Sequence, residues 1–267
     1  MTTTTSFVAR LERFDRVGST NDVVREWLAT GEPEVCVAVA AEQTAGRGRQ
    51  GRTWTAPAGA GLLASIGFRP TWLAPDRFWR LAASVSLAMA DGAEEVVGLA
   101  SGSIRLKWPN DLVVERDGRV LKLGGVLGET DGLGGGDPTA IVGIGLNADW
   151  PASDFPPELS AAMTSLRALH PDGPVDSVAL LMSFLDRLGE RIETLRRGGF
   201  DAASWAGRQV TTGRSIDLID HDGISRRCQA LGVDPDSGAL RIADDKAPAG
   251  ERWVMVGEIR HVRLAAV

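Results

Sequence analysis

The stretch Glu42–Trp54, EQTAGRGRQGRTW, gathers three glycines and three arginines within a few residues of one another. Glycine lets the backbone approach a ligand closely and adopt positive φ. Arginine carries a permanent charge on a planar fork that matches carboxylates and phosphates. The stretch therefore predicts a loop that closes over an anion. It also contains a literal G-x-G-x-x-G at Gly46, Gly48 and Gly51, but no helix is predicted directly after it, as a dinucleotide fingerprint requires.

The composition limits the classes of protein to which this loop can belong. The chain has 267 residues, 43% of them hydrophobic, so it can bury a core as one large domain or as a large domain plus a small one. Its net charge of −6 and pI near 5.2 argue against a general nucleic-acid binder. An RNA-binding arginine–glycine protein would be basic and would repeat its RGG unit. A solvated linker is the other alternative for the loop taken alone.

Several features bear on location and on resident metals. No apolar run approaches the 18 residues of a membrane span, and the first ten residues lack the apolar region of a signal peptide. Cys36 and Cys228 lie far apart in apolar surroundings, which is typical of core thiols in a cytoplasmic protein. The three histidines lack metal-ligand spacing. The sequence therefore predicts a cytoplasmic protein without a membrane span or a built-in zinc site.

Helical and strand patterns alternate over the first 195 residues. Ser19, Thr20 and Asn21 are all good N-cap residues, and apolar residues at helical spacing follow them until Gly31. Apolar residues at i, i+3 and i+4 predict longer helices over 75–97 and 178–195. Short apolar runs predict strands at 35–41, 61–68, 104–108, 112–115, 120–126 and 139–146.

After Trp205 the pattern changes to short alternating strands. They are separated by turn sequences at 220–223 and 234–238. Strands spaced in this way over about sixty residues fit a small barrel. We therefore place a domain boundary within 200–208 and divide the chain into residues 1–205 and 206–267.

Two lysines and an asparagine stand at positions that need an explanation. Lys107 lies in IRLKWPND at a strand end broken by proline, where working side chains are often exposed. A solvated strand end is the alternative there. Lys122 interrupts an apolar strand before two glycines and would be costly to bury unpaired, so it either reaches the edge or meets an anion. Asn147 ends the strand IVGIGLN, where it either reads a ring edge or caps the strand.

Five motifs now stand in a fixed order: Ser-Thr-Asn at 19–21, GRGRQGRTW at 46–54, KWPNDL at 107–112, KLGGVLGE at 122–129 and GIGLN at 143–147. In this order the chain resembles the biotin protein ligases over roughly residues 13–150. The resemblance implies an α+β fold, with a class II aminoacyl-tRNA-synthetase-like mixed sheet with helices and a small C-terminal SH3-like β-barrel. The related lipoate ligases are expected to carry an Arg-Arg plus triple-glycine motif and a His-Asp pair, and neither is present.

The activity that the resemblance implies is ATP-dependent activation of biotin to biotinoyl-5′-AMP. The biotin then passes to a lysine of apo biotin carboxyl carrier domains. Magnesium with ATP is the implied cofactor, biotin is a substrate, and no permanently bound cofactor is expected. A non-catalytic biotin- or nucleotide-binding module is the rival reading, and it would tolerate loss of the lysine and arginines that are all present here.

Matching motif to motif assigns roles to individual residues. The implied catalytic residues are Lys122, which would bridge the biotin carboxylate and the α-phosphate, and Arg49. The residues implied for biotin binding are Ser19, Thr20, Asn21, Gln43, Gly46, Arg47, Gly48, Arg49, Lys122, Gly124, Gly125 and Gly143. The residues implied for ATP and adenylate binding are Arg49, Arg52, Trp54, Lys107, Asn110, Asp111 and Asn147. Asp111 is also implied as a possible ligand of Mg²⁺ together with the ATP phosphates.

Three further expectations concern partners and motion. The motifs begin within twenty residues of Met1, so we expect no N-terminal DNA-binding domain and no DNA binding. The sequence leaves a monomer and a ligand-promoted homodimer both open. Gln50 stands where some relatives have a basic residue, and we expect it to tune the loop. Because the loop has few apolar residues, we expect it to be disordered without ligand and ordered by the adenylate.

Overall fold

The computed structural model describes residues 7–170, 172–219, 221–256 and 261–264. Its larger sheet has seven strands in the order β1-β2-β3-β7-β6-β5-β4. β1 runs parallel to β2, and every other neighbouring pair in this sheet is antiparallel. The strands are β1 (Arg10–Val17), β2 (Cys36–Gln43), β3 (Gly61–Phe68), β4 (Ile104–Lys107), β5 (Asp111–Arg116), β6 (Arg119–Asp131) and β7 (Thr139–Asn147).

Helices cover both faces of this sheet. Cys36 and Ala38 of β2 pack with the first helix, whereas Val37 and Val39, one position along, belong to the hydrophobic cluster that contains the second and fourth helices. This alternation follows from the period of two in a strand. The helices are α1 (Thr20–Ala29), α2 (Trp79–Val96), α3 (Leu166–Leu169), α4 (Ser177–Arg196) and α5 (Ala202–Gly207). Within the described ranges, no helix is both long and apolar enough to cross a membrane.

The tail forms a second sheet of five strands in the order β11-β10-β9-β8-β12. Its outer strands, β11 and β12, do not pair with each other in the part of the chain described here. The closed barrel expected for 206–267 is therefore an open sheet over these residues. The strands are β8 (Ser215–Ile219), β9 (Ser225–Val233), β10 (Leu240–Ala243), β11 (Glu251–Val254) and β12 (His261–Leu264).

A buried ion-pair network joins the two parts of the chain. Arg208, just after α5, donates to both carboxylate oxygens of Glu94 at 2.7 and 3.0 Å and to Asp91 at 2.5 Å. It also donates to the carbonyl of Ile104 in β4, and β4 pairs with the chain at Gln209. Buried residues from both sheets belong to one hydrophobic cluster, for example Leu106 of β4 and Ile216 of β8. The junction that we placed near residue 205 is therefore firmly packed against β4, the strand that carries Lys107.

The helices and strands predicted for the first 195 residues are all present in the structure. The segment 61–68 matches β3 at both ends, and the two long helices begin and end within a few residues of their predicted bounds. β1 and the short helices α3 and α5 had not been assigned. The sequence of β1, RLERFDRV, carries charged residues at five of its eight positions, which is common in an edge strand.

Candidate active site

A cavity opens on the α1 side of the large sheet, between the start of α1, the loop after β2 and the central strands β6 and β7. Most residues that the sequence suggested for a site line it. They are Ser19, Thr20, Asn21, Gln43, Arg47, Gly48, Trp54, Asn110, Lys122, Gly125 and Gly143. One end of the cavity therefore carries neutral polar groups, and the other end carries the lysine.

The neutral end consists of buried side chains joined in a hydrogen-bonded chain. Gln43 Oε1 accepts from the backbone N–H of Thr20 at 2.7 Å. Ser65 Oγ lies 2.7 Å from Thr20 Oγ1 and 2.6 Å from Asn21 Oδ1. Asn21 Nδ2 donates to Glu129 at 2.7 Å. Ser19 is the N-cap of α1 but makes no side-chain capping bond. Ser19, Thr20 and Asn21, which the sequence suggested as helix caps, therefore line the cavity instead.

Lys122 is presented to the cavity by a β-bulge. The ladder between β5 and β6 skips Leu123, so Lys122 and Gly125 share a face although they are three residues apart. An ideal Cβ at Gly125 would lie 3.6 Å from Lys122 Nζ. The backbone of Lys122 is held by another segment instead: its N–H donates to Ala162 and its carbonyl accepts from Thr164, both at 2.8 Å. A bulge of this kind re-aims a side chain.

At the charged end, Lys122 forms a cluster with Asp111 and Lys107, which line a neighbouring cavity that shares Asn110, Val126 and Leu127. Lys122 Nζ lies 2.6 Å from Asp111 Oδ1, and Lys107 Nζ lies 3.6 Å from Asp111 Oδ2. Lys122 Nζ also lies 5.5 Å from the ring centroid of Trp54, within cation–π range. These three charged side chains carry a net positive charge, which suits an anionic ligand.

Packing explains several of the glycines that the sequence singled out. A Cβ at Gly143 would lie 2.2 Å from Asn21 Oδ1, and one at Gly145 would lie 2.5 Å from the Trp54 ring. At Gly124 the Cβ would meet the carbonyl of Gly145 at 2.7 Å, and at Gly46 that of Trp54 at 2.4 Å. Gly46 and Gly124 do not line the cavity. These glycines make room for neighbouring protein groups. Gly124 and Gly143 were implied above for biotin binding, and their close contacts are with Leu146, Gly145 and Asn21 of the protein itself.

The glycine–arginine loop is attached to the body of the protein through Arg47. Its guanidinium donates two bonds of 2.7 Å to the Asp22 carboxylate, and this contact lowers the pKa of Asp22. Arg49 reaches across to the carbonyl of Val256 at 3.1 Å, and Arg52 is exposed. Gln50 has a φ of 60°, a left-handed conformation that costs an ordinary residue about 1–2 kcal/mol. The loop therefore has more contacts than its sequence predicts.

Asn110 and Asn147 are both engaged by backbone carbonyls. Asn110 Nδ2 donates to Val126 and Asn147 Nδ2 donates to Thr164, each at 2.9 Å. Asn147 is buried and does not line the cavity. The sequence left two roles open for Asn147, reading a ring edge or capping the strand. Its contact with Thr164 is the one expected for a residue that caps the strand end.

A search of protein-family models places residues 13–147, about half of the chain, in the Biotin/lipoate A/B protein ligase family. The chain belongs to this family. The matched segment contains all five ordered motifs and every side chain of the cavity described above. The resemblance stated from the sequence is thereby confirmed at the level of the family.

Curated relatives cover nearly the whole chain. A "Biotin--[acetyl-CoA-carboxylase] ligase" of Mycobacterium tuberculosis is 30% identical over 262 residues, which cover 95% of this chain and 90% of the relative. A ligase of the same name from Paracoccus denitrificans is 31% identical and covers 91% and 97%. A solved "Biotin protein ligase from Aquifex aeolicus in complex with biotin and ATP" is 24% identical, covers 96% and 100%, and superposes with a TM-score of 0.77, which shows a shared fold.

Sequence reasoning missed three polar residues of this ligase-family site. Ser65 is fully buried within an apolar strand, and Asp22 and Glu129 both hold Arg47. Burial tends to raise the pKa of Glu129, but hydrogen bonds from Asn21 and Arg25 and the nearby guanidinium groups lower it overall. Glu129 ends the KLGGVLGE motif, which was the one available signal. The contacts of Ser65 lie 44 and 45 residues away along the chain and leave no local pattern.

The residues present do not form a ready magnesium site. Asp111, the suggested ligand, already faces two ammonium groups. No group of three His, Cys, Asp or Glu that could hold a metal occurs among the residues described. Mg²⁺ is often held by one or two carboxylates plus substrate phosphates. A magnesium ion at this site would therefore have to be held chiefly by the phosphates of a nucleotide.

Lys107 should take up a proton when a nucleotide binds at alkaline pH. Burial lowers the pKa of Lys107, with Asp111 opposing that shift and Lys122 adding to it. Bound phosphates would raise this pKa again, so a fraction that is neutral at alkaline pH becomes charged. Calorimetry of ATP binding in buffers of different ionisation enthalpy measures the uptake, which should decrease as the pH is lowered. Lys107→Arg, which stays charged, should abolish it, and equal uptake by this variant would exclude Lys107 as the source.

Proposed function

We propose that the chain is a biotin protein ligase, which activates biotin with ATP to biotinoyl-5′-AMP and transfers the biotin to a lysine of biotin carboxyl carrier domains. The observation that carries the proposal is the division of one cavity into a neutral hydrogen-bonding end and a cationic end at Lys122. Biotin has the matching division into an uncharged ureido ring and a carboxylate. A non-catalytic binding module is not favoured, because it needs no lysine pair beside an aspartate.

The first step joins two anions. An oxygen of the biotin carboxylate attacks the α-phosphorus of ATP and forms a bond to it. The bond between the α-phosphorus and the bridging oxygen breaks, and pyrophosphate leaves with that electron pair. Preorganised cations are needed because the reactants repel each other as they approach. Lys122 is assigned to this position, since its Nζ is aimed at the cationic end by the bulge and restrained by Asp111 at 2.6 Å. Lys107 adds a second buried charge for the phosphates.

The second step is acyl transfer to an amine. A carrier lysine attacks the carboxyl carbon of the mixed anhydride, AMP leaves, and the amine loses a proton. We assign Thr20, Asn21 and Gln43 to the ureido end and Arg49 and Arg52 to the phosphates. Trp54, with Asn110, is assigned to the adenine side. Mg²⁺ would neutralise the polyphosphate when it is bound.

The finer description of the fold belongs to the same proposal. We assign residues 1–205 to a class II synthetase-like catalytic domain and 206–267 to an SH3-like domain that contains the open sheet described above. We also assign the ligase to the cytoplasm, where carrier domains and reduced thiols occur together. Both cysteines lack a disulfide partner in the structure.

The direct test is mass spectrometry of a recombinant apo carrier domain incubated with the protein and biotin. One biotin should be added in the presence of ATP and none in its absence. A carrier whose acceptor lysine is replaced by arginine serves as the matched control. Addition that does not depend on ATP, or no addition at all, would contradict the proposal.

Arg49→Gly should release the intermediate. Arg49 lies in the middle of the loop and donates to the Val256 carbonyl of the tail, so we assign it to retention of the adenylate rather than to its synthesis. We expect pyrophosphate release to change less than the labelling of bystander proteins, which should rise because the reactive anhydride escapes. Labelling of serum albumin measures the leak, and Arg105→Gly, outside the cavity, is the control. Wild-type labelling by Arg49→Gly would argue against a retention role.

The loop should become more protected when the adenylate binds. Arg47 already holds its first residues against Asp22, so the largest change in amide hydrogen exchange is expected after residue 48. Ordering costs about 1–2 kcal/mol per residue, which contacts to an anion can offset. Hydrogen exchange over 44–53 with and without a non-hydrolysable adenylate analogue measures the change. Equal protection in the two states would identify the loop as a fixed scaffold.

A further inference from the structure

The side chains at the neutral end of the cavity form a hydrogen-bonded chain from Glu129 to Gln43, and the donor in each contact can be worked out by counting protons. The Asn21 amide must turn its NH₂ toward Glu129, because a carboxylate only accepts; the Nδ2–oxygen distance is 2.7 Å. Asn21 Oδ1 therefore faces Ser65 Oγ at 2.6 Å. A carbonyl oxygen cannot donate, so the single proton of Ser65 goes to Asn21.

The proton of Thr20 follows from the same count together with the contact distances. Ser65 Oγ also lies 2.7 Å from Thr20 Oγ1, and the Ser65 proton is already used. Thr20 Oγ1 also lies within hydrogen-bond distance, 3.0 Å, of Gln43 Oε1, which faces the Thr20 backbone N–H at 2.7 Å. We assign the single Thr20 proton to the shorter contact, so that Thr20 donates to Ser65. The proton of Thr20 is then unavailable for Gln43. Two acceptor oxygens, 3.0 Å apart, face each other with no proton between them, and both residues line the cavity.

We propose that Glu129 and Ser65 are positioning residues that hold Thr20 Oγ1 and Gln43 Oε1 as a pair of acceptors for an N–H group of the ligand. The inference rests on the proposed function, in which that N–H belongs to the ureido ring of biotin. Thr20, Asn21 and Ser65 are all at least nine-tenths buried, so water is poorly placed to supply the missing donor. The pair therefore favours a cyclic urea over a ring that has an oxygen at this position.

Gly143 supports this arrangement from the opposite strand. Gly143 is the cross-strand partner of Ser65, and a Cβ there would lie 2.2 Å from Asn21 Oδ1. Any side chain at position 143 would displace the Asn21 amide oxygen from its contact with Ser65. The negative charge that sets the direction of the chain lies on the same strand as Lys122, at the opposite end of the KLGGVLGE segment.

Replacing Glu129 with Ala should reverse the direction of the hydrogen-bonded chain, because the oxygen that fixes the Asn21 amide is lost. The Asn21 oxygen can then turn toward the guanidinium groups of Arg25 and Arg47, which lie at the Glu129 carboxylate, and the Asn21 NH₂ can donate to Ser65. Ser65 then donates to Thr20, and Thr20 donates to Gln43. A proton now fills the acceptor pair. Ser65→Ala has the same end result by a different route, because it frees the Thr20 proton for Gln43. The two substitutions should therefore not be additive.

The test is calorimetric binding, without ATP, of biotin and of its two cyclic-carbamate analogues, in each of which one ureido N–H is replaced by oxygen. The wild type should bind biotin about tenfold more tightly than one of the analogues, as expected for one lost hydrogen bond that leaves acceptors unpaired. Glu129→Ala and Ser65→Ala should each bring this ratio close to one by weakening the binding of biotin, and the double variant should weaken it no further. KM for biotin should rise accordingly, with kcat at saturating biotin changing less.

Asp22→Asn is the matched control, because Glu129 also pairs with Arg25 and Arg47. Asp22→Asn weakens the contact that holds Arg47 of the loop, but Asp22 takes no part in the hydrogen-bonded chain from Glu129 to Gln43. The ratio of the affinities for biotin and the carbamates should therefore stay at the wild-type value. A wild-type ratio in both Glu129→Ala and Ser65→Ala would overturn the inference while leaving the ligase assignment intact. Failure of the wild type to bind biotin at all would instead count against the proposed function.

Discussion

Lys122→Ala should reduce adenylate formation by about a hundredfold or more while the protein stays folded. A charge-assisted contact to an anion contributes roughly 1.5–3 kcal/mol, and more where charge develops in a water-excluded transition state. The fold should tolerate the change because the Lys122 side chain is 40% exposed and Asp111 keeps Lys107 within 3.6 Å.

The measurement is pyrophosphate release with biotin and ATP, alongside circular dichroism to confirm folding. Lys246→Ala is the matched control, since Lys246 is an exposed lysine in a loop of the tail. Biotin binding without ATP should weaken much less than the rate, because the lysine is needed most when both anions are present. A folded Lys122→Ala protein that releases pyrophosphate at the wild-type rate would remove Lys122 from the mechanism.

Arg208→Ala should cause the largest loss of stability among single substitutions outside the hydrophobic core. It leaves Glu94, whose side chain is 5% exposed, without its cation and takes one of two guanidinium partners from Asp91. Breaking a buried pair by removing one partner typically costs about 3–5 kcal/mol. The midpoint of urea unfolding should fall accordingly, and activity should fall with it because β4 carries Lys107.

Arg187→Ala provides the comparison for this loss. Arg187 pairs with Glu95 on the same helix pair at 2.9 Å, but the two side chains are 36% and 58% exposed. Exposed pairs contribute about 0–1 kcal/mol. Equal losses of stability for Arg208→Ala and Arg187→Ala would mean that burial does not decide the strength of the network that joins the tail to β4.

The sequence predicted those elements whose pattern is local. The apolar run 61–68 needs no partner to be identified as a strand, and 178–195 has a clear helical period. β1 was missed because RLERFDRV has an apolar residue only at every third position, which is not the period of a strand, and only pairing with β2 makes it one. The open second sheet could not be foreseen either, since strand closure depends on how the ends of β11 and β12 meet.

In the candidate site, too, the residues that belong to a local sequence pattern could be predicted. Lys122 and Asp111 were found because their motifs are short and continuous. The partners that orient the site were not: Ser65 resembles any small residue in a buried strand, and Asp22 resembles any acidic residue in the first turn of a helix. Packing also reassigned Gly143, whose missing side chain leaves space for Asn21. The contact between positions 143 and 21 joins distant parts of the sequence, so it is known only from the folded structure.

The bulge in β6 has a consequence for anyone who redesigns this protein. Its backbone at Lys122 is held by Ala162 and Thr164, at the end of an irregular surface stretch that runs from residue 151. Such a stretch is an obvious place to shorten a chain, graft a tag or randomise a library. Changes there would move the anchor of the lysine without touching the cavity. Libraries in 151–162 should therefore be screened for adenylate formation first, because a loss of activity would be easily mistaken for poor recognition of the carrier.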